Sequence, residues 1–562
     1  MITRRDFWTA AMATAALLGK PSLRHVAASA RMSQDDLLKF EPRGQVTLLH
    51  LTDLHAQLVP LHFREPSSNI GVGDLRGLPP HITGQEFLKT FAIAPKSALA
   101  YGLTSEDYVE LARSYGRMGG LDRIATLIKA IRAERGGDRV LLLDGGDSWQ
   151  GSWTALQSQG QDMADAMALL KPDAMTGHWE FTFGAQRMQA LADAQAFPFL
   201  AQNIADSGFG DSVFQPSKIF ERGGLRIAVI GQAFPYTPVA NPRWLVPDWT
   251  FGLHEDSMQQ HVDAARSGGA DLVVLLSHNG FDVDRKMASR VRGLDVVLSG
   301  HTHDALPEAT TIGKTLIIAS GSNGKFVSRL DLDVQGREIK GFSYKLIPVF
   351  ADAIAPDAEM AAWVAKLRAP HAANLARVLG HSGGLLYRRD SMAGSLDDMI
   401  CDAMLSQRDA EIALSPGLRW GTTILPGQEI TFEDVTNATA VTYPANYRMD
   451  MTGAQIKAVL EDVADNIFNP DPYLQSGGDM VRTGGLGFAS DVGKPAGHRI
   501  GEMVHLRSGK PIDAARSYVV TGWASVREGT EGPPIWATVE RHLEAHRVVE
   551  VKPGMNVRVS GI

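Results

Sequence analysis

The sequence predicts an α/β layered protein, and three observations carry that expectation. From Gln45 onward, short apolar runs of strand length alternate with longer stretches of helical period. Four of the apolar runs end in a turn rich in Gly, Asp and His. An alanine-rich stretch at 355–378, with Pro356 and Pro370 as breakers, is followed by a second apolar region of mixed α/β character. The 562 residues exceed what one ordinary core accommodates, so several domains are expected.

Composition narrows the classes. A hydrophobic fraction of 44% describes a globular chain, and a net charge of -8 gives no basic footprint for nucleic acid. One cysteine, Cys401, excludes an internal disulfide and a cysteine-rich zinc site; its apolar surroundings predict a buried structural thiol.

Taken in order, residues 1–30 come first. Arg4-Arg5-Asp6-Phe7 precedes a weakly apolar run, with Ala28-Ser29-Ala30 beyond it, and this pattern is similar to a twin-arginine export signal. The run is too short to anchor the chain in a bilayer. The expected location is therefore periplasmic, reached by export of the folded protein.

The first domain is expected over 45–350. Val46-Thr47-Leu48-Leu49-His50-Leu51 reads as a buried strand, residues 121–133 as an amphipathic helix, and residues 139–143, 225–230, 271–276 and 294–298 as further strands. Residues 61–118 form a Gly- and Pro-containing insert, too long to be an idle connection. A connecting helix is expected over 351–380 and a C-terminal domain over 381–562.

The chemistry is expected where strands end. The turns are Asp53-Leu54-His55, Gly146-Asp147, Ser277-His278-Asn279 and Gly300-His301-Thr302-His303. Loops at the carboxyl ends of strands in an open α/β sheet converge on one crevice. Carboxylate and imidazole ligands without thiolate suit manganese, iron or zinc, and a shared aspartate can hold two ions roughly 3.5–4 Å apart. Each turn alone is weak; the four together, in order and each at a strand end, are not.

With a fifth turn at Gly177-His178-Trp179-Glu180, this series resembles the calcineurin-like metallophosphoesterases. Residues 116–132, Gly417-Leu418-Arg419, Tyr443-Pro444 and Met451-Thr452-Gly453 narrow the likeness to the 5′-nucleotidase branch, over about residues 45–545. The resemblance implies a four-layered α/β/β/α sandwich and a mixed α/β C-terminal substrate domain. It also implies two metal groups: Asp53, His55, Asp147 and His303 around one ion, and Asp147 (bridging), His178, His278 and His301 around the other. Asp147 is then the catalytic bridge, and the paired ions activate water.

One departure bears on the substrate. Where the nucleotidases carry Gly-Asn-His-Glu-Phe-Asp, this chain reads Gly177-His178-Trp179-Glu180-Phe181-Thr182. The family's catalytic histidine becomes Trp179, and indole cannot protonate an alkoxide leaving group. A thiol or persulfide leaving group needs that acid less. The substitution, the insert and the export signal together resemble the sulfate thiol hydrolase (thiosulfohydrolase) family of the sulfur-oxidising system. Two manganese ions (zinc or iron in their place), a cysteine S-sulfonate substrate and a SoxYZ-type carrier protein as partner are what that resemblance implies.

Other residues carry two readings. Trp179 is a wall of a narrow substrate channel or part of the core beneath its loop. Arg419 faces the substrate's anion or is a surface arginine. Arg482, in a Gly-rich segment, lies close to a bound peptide or belongs to a surface hairpin. His50 and His81 are expected to be structural. The competing functions are a periplasmic 5′-nucleotidase or phosphodiesterase, and a non-catalytic, metal-stabilised carrier-binding protein.

Overall fold

The computed structural model describes residues 32–551 and 556–562; the export-signal reading of residues 1–30 lies outside them. Two sheets form the N-terminal domain. The first runs in the order β11-β10-β1-β2-β3, built from β1 (Val46–Leu51), β2 (Val140–Asp144), β3 (Ala174–Met175), β10 (Phe326–Gln335) and β11 (Glu338–Pro348). The second runs β8-β9-β7-β6-β5-β4, from β4 (Ser217–Arg222), β5 (Leu225–Gln232), β6 (Leu272–Ser277), β7 (Val296–Ser299), β8 (Thr310–Ile312) and β9 (Thr315–Ala319). The expected strands are all present, each within a few residues of its expected bounds.

Alternation along β1 shows why the domain has four layers. Val46 and Leu48 face a cluster shared with Val229, Val274 and Leu298 of the second sheet, while Leu49 and Leu51 face the opposite way, into a core shared with helices. A strand that is apolar on both faces needs cover on both. Helix α1 (Leu121–Arg135) supplies cover for the first sheet through Ile124, Leu127, Ile128 and Ile131, the spacing of one helical face. The result is the α/β/β/α sandwich.

The parallel pairs β1–β2–β3 and β5–β6–β7 bring the carboxyl ends of the strands in each sheet to one edge. Both sheets present that edge to the same place, since His278, just beyond β6, bonds the main chain of Gly145, just beyond β2.

The stretch after the sandwich differs from the single connecting helix expected. Helix α2 (Ala358–Arg368) gives way to a 3-10 turn, Ala369–His371, which accommodates Pro370 where a continuous helix would lose a hydrogen bond. A four-residue helix, Ala372–Leu375, follows, and a strand starts already at Val378. The C-terminal domain centres on a sheet of order β13-β15-β12-β14, with β12 (Ile412–Gly417), β13 (Tyr447–Thr452), β14 (Asp479–Gly484) and β15 (Ser517–Gly522). Cys401 is buried beside it.

The insert contains the helices Gly84–Thr90, Ala98–Leu103 and Tyr108–Tyr115. Its first part straps the two domains together. Thr423 N–H donates to His62 O at 2.7 Å and Ser391 N–H to Ser68 O at 3.0 Å. Ile70 N–H donates to Ser391 Oγ at 3.0 Å.

Candidate metal centre

The five turns meet. In one group Asp53, His55, Asp147 and His303 place a ligand atom each within 4.8 Å of one another, and in a second group Asp147, His178, His278 and His301 do the same. Asp147 belongs to both, so these residues could hold two ions side by side.

The backbone that delivers them is unusual. Asp53, His55, Asp147, His301 and His303 all have positive φ, between 46° and 76°. Left-handed φ is uncommon for such residues and concentrates at functional sites, where the surrounding structure must hold it. Here main-chain bonds between turns hold it: Asp53 N–H donates to Gly146 O at 2.8 Å and His55 N–H to Asp147 O at 2.7 Å.

Glu180 organises the second loop. Its buried carboxylate accepts from the main-chain N–H groups of Ser148 (2.7 Å), His178 (2.9 Å), Trp149 (3.2 Å) and Asp147 (3.3 Å). Trp179 N–H donates to Asp147 Oδ1 at 2.7 Å, and His301 N–H reaches both oxygens of Asp53 at 3.1 Å. The two carboxylates are thus fixed by backbone donors before any cation arrives.

The imidazoles are prepared for a cation. His278 Nδ1–H donates to Gly145 O at 2.6 Å, His178 Nε2–H to Asn241 Oδ1 at 3.0 Å, and His301 Nε2–H to Ser476 O at 2.9 Å. A proton held on one ring nitrogen leaves the other with a free lone pair, which is the arrangement metal-binding histidines use. His178 Nδ1 and His278 Nε2 are buried and lack any hydrogen-bond partner, and they lie 3.5 and 3.0 Å from Asp147 Oδ2. In the other group, His55 Nε2 faces His303 Nε2 at 3.0 Å, with His303 Nε2 3.2 Å from Asp53 Oδ1.

Burial holds His55 neutral, with its pKa lowered to about 3 against the pull of Asp147. Burial also pushes His301 and His303 well below the ordinary imidazole value. For His278 burial acts the same way, but Asp147 and Asp53 outweigh it and lift the pKa to about 10. Imidazoles kept neutral at His55, His301 and His303, a His278 whose proton a cation would displace, the orphaned Nδ1 of His178 and two buried carboxylates converge on two points, a donor set that fits two divalent cations.

The remaining predicted residues divide. Trp179 is 7% exposed and packs in the C-terminal core, edge to face with Trp420 at 4.7 Å and parallel to Tyr443 at 6.1 Å. Arg419 bridges the domains: it donates to Thr302 O at 3.1 Å, Gly478 O at 2.7 Å and Asp479 Oδ1 at 3.0 Å.

The expected setting of Arg482, a loop or surface hairpin, is corrected. Arg482 lies on β14, 3% exposed, with its Nη2 donating to Asp390 O at 2.6 Å and Asp479 Oδ2 at 3.1 Å. A cation buried this deeply must be paired, and the acidic neighbours that pair it were not visible from the glycines around it. His50 is structural: burial lowers its pKa to about 3 and its Nδ1 sits 2.6 Å from Ser320 Oγ. His81 pairs with Asp282 at 2.7 Å.

Sequence reasoning missed Asn241, the acceptor that orients His178, and Arg389. The Arg389 guanidinium donates to Thr302 O (2.9 Å), His303 O (2.8 Å) and Glu65 Oε2 (2.8 Å). Glu65 is shared with the fully buried Lys325 at 2.5 Å. No local motif marks Asn241 or Arg389.

Comparison with known proteins agrees with the geometry. Residues 46–305 match the calcineurin-like phosphoesterase family and residues 378–539 the 5′-nucleotidase C-terminal domain. The structure of a sulfate thiohydrolase, SoxB, from Thermus thermophilus is 37% identical, with a TM-score of 0.90, over 93% of this chain and 98% of that one. Human 5′-nucleotidase is 25% identical over 444 residues, 71% of this chain and 74% of the human protein. A 5′-nucleotidase precursor from Thermus thermophilus, at 22% identity and a TM-score of 0.73 over 92% of this chain and 99% of that one, shares the fold. This chain belongs to the calcineurin-like phosphoesterases that carry a 5′-nucleotidase C-terminal domain, a family of metal-dependent hydrolases.

Proposed function

We propose that the protein is a sulfate thiol hydrolase, releasing sulfate from a thiosulfate-derived cysteine S-sulfonate (Cys–S–S–SO3−) carried on a SoxYZ-type sulfur carrier and leaving a persulfide on the carrier. The observation that carries this reading is Trp179. Both groups of candidate ligands are intact, yet the position at which the nucleotidases hold their proton-donating histidine is filled by an indole buried against Trp420 and Tyr443. Such a centre retains what is needed to polarise an oxyanion and lacks the acid that an alkoxide needs to depart. A persulfide departs without it. The similarity to the SoxB structure supports the same reading.

In this proposal Asp53, His55, Asp147 and His303 hold one ion and Asp147, His178, His278 and His301 the other, with manganese the expected metal. When bound, the pair supplies Lewis acidity toward the sulfonate oxygens and lowers the pKa of water. The protein's own groups keep that arrangement fixed. Glu180 and the Trp179 amide orient Asp147, and the acceptors Gly145 O, Asn241 and Ser476 O fix the histidine tautomers. In the same reading Arg419, which donates to Thr302 O and Gly478 O, meets the anionic end of the substrate. The expected setting is the periplasm; among the described residues no helix is long and apolar enough to cross a membrane.

The test is the intact mass of a purified carrier bearing a thiosulfate-derived S-sulfosulfanyl cysteine (Cys–S–S–SO3−), followed during incubation with the manganese-loaded enzyme. Loss of the sulfonate with retention of the sulfane sulfur is the expected result. An unchanged carrier, together with phosphate release from a nucleotide monophosphate, would return the protein to the nucleotidases.

A further inference from the structure

Trp420 stands against the metal centre from the C-terminal domain. Its ring lies flat on the imidazole of His55, with centroids 4.5 Å apart and planes 12° from parallel. On its other contact, Trp179 packs edge to face at 4.7 Å. The residue is 2% exposed, and Arg388, donating to its main-chain oxygen at 3.4 Å, holds the segment in place. The indole is therefore fixed both by its backbone and by two aromatic faces.

The indole nitrogen is the anomaly. Trp420 Nε1–H is buried and has no acceptor. Indole N–H is only a donor, and a buried donor without a partner is a liability that folded proteins avoid. Elsewhere in the same domain the rule is kept: Trp523 Nε1–H donates to Ser415 Oγ at 2.8 Å. Trp149 and Trp363 also lack an acceptor at Nε1, but of the three only Trp420 lies on the ring of a candidate metal ligand. A donor left open at this location has a use if an acceptor arrives with the substrate.

The acceptor that the site invites is an oxyanion. Arg419, the neighbour of Trp420 in sequence, already reaches the Thr302 carbonyl between His301 and His303. A tetrahedral oxyanion brought to the paired carboxylate and imidazole groups carries more oxygens than two cations engage, and those remaining need donors that are fixed in advance. An indole held rigidly by stacking supplies such a donor without reorganisation.

We infer that Trp420 is a substrate-contacting residue, whose indole N–H donates to a non-bridging oxygen of the tetrahedral sulfur or phosphorus group bound at the metal centre. The identity of that group as a sulfonate rests on the proposed function; the donor does not. Stacking on His55 gives Trp420 a second effect, since the same ring restrains a ligand imidazole. The two effects separate in substitution, because phenylalanine retains an aromatic face and lacks the donor.

The experiment uses the full-length, manganese-free protein loaded with magnesium or zinc and labelled with ¹⁵N at the tryptophan indoles, of which the chain has 10. The resonance absent from Trp420→Phe identifies the indole. Titration with sulfate, and separately with phosphate, is expected to move that resonance downfield more than any other. In parallel, Trp420→Phe is expected to lower kcat/KM for the S-sulfonate about tenfold to a hundredfold and to weaken inhibition by sulfate about tenfold, with two ions still bound per chain. An indole signal that ignores both anions at saturation would overturn the inference, as would a Trp420→Phe enzyme with wild-type kcat/KM and sulfate inhibition. A signal that moves with the anions in a protein inert toward the S-sulfonate would leave the donor standing and overturn the sulfonate reading instead.

Discussion

The main-chain N–H of Trp179 donates to Asp147 Oδ1 at 2.7 Å, so the residue that departs most from the nucleotidase pattern also holds the aspartate shared by both ligand groups. The contact is made by backbone, and any residue except proline can make it at 179. The side chain, by contrast, is what distinguishes this site chemically.

That separation makes the side chain testable. In Trp179→His combined with Thr182→Asp, the orienting amide remains and an imidazole with a carboxylate partner returns. Hydrolysis of adenosine monophosphate should rise by roughly 10²-fold, within the range that a positioned general acid contributes. A rate that stays at the wild-type level with two ions bound would show that the missing acid is not what excludes phosphoesters.

Asp147 is expected to be indispensable. Asp147→Ala removes the one carboxylate common to both groups and should abolish turnover, with fewer than two ions retained per chain by elemental analysis. A variant with full activity would remove the two-ion arrangement altogether.

Glu180→Gln tests whether the loop is held by charge. The substitution keeps the shape but turns one of the two oxygens into a donor facing main-chain N–H groups that Glu180 now accepts from. A loss of roughly 3 kcal/mol is expected in urea unfolding of the metal-free protein, the scale of charge-assisted bonds replaced by unsatisfied buried donors. A change below about 0.5 kcal/mol, the scatter of an ordinary surface substitution, would mean that the loop stands without it.

Arg419 and Arg482 should separate by phenotype. Arg482 is buried between Asp479 and the carbonyl of Asp390, with Asp397 Oδ2 at 3.7 Å, so Arg482→Ala strands buried acids and should cost roughly 3–5 kcal/mol of stability. Arg419→Ala should leave most of the stability and raise KM for the anionic substrate about tenfold. Steady-state kinetics beside urea melts distinguish the two, and the reverse pattern would exchange their roles.

Much of this molecule was legible in advance because its N-terminal strands are continuous apolar runs and its candidate ligands are His and Asp immediately after them. The run from Val46 to Leu51 announces a strand buried on both faces, and Asp53 follows within two residues. What remained hidden depends on distance along the chain. Asn241 orients His178 from 63 residues away, and Arg389 clamps His303 from 86 away, with the insert's Glu65 as its partner. Neither sits in a pattern that periodicity or turn chemistry marks. The left-handed φ of Asp53, His55 and Asp147 was equally invisible, because it is imposed by bonds between separate loops rather than by the residue type. Arg482 misled for the complementary reason: the glycines around it read as a turn, whereas the segment is a sheet strand paired with β12.

The central claim is that this paired centre serves a sulfur leaving group and not an alkoxide. Its most direct test is the ratio of kcat/KM for a carrier-borne cysteine S-sulfonate to that for adenosine monophosphate, measured on one manganese-loaded preparation by sulfate and phosphate release. A ratio of at least about 10³ in favour of the S-sulfonate is predicted, comparable to the contribution of a general acid that only the phosphoester needs. Equal rates, or faster release of phosphate, would contradict the account.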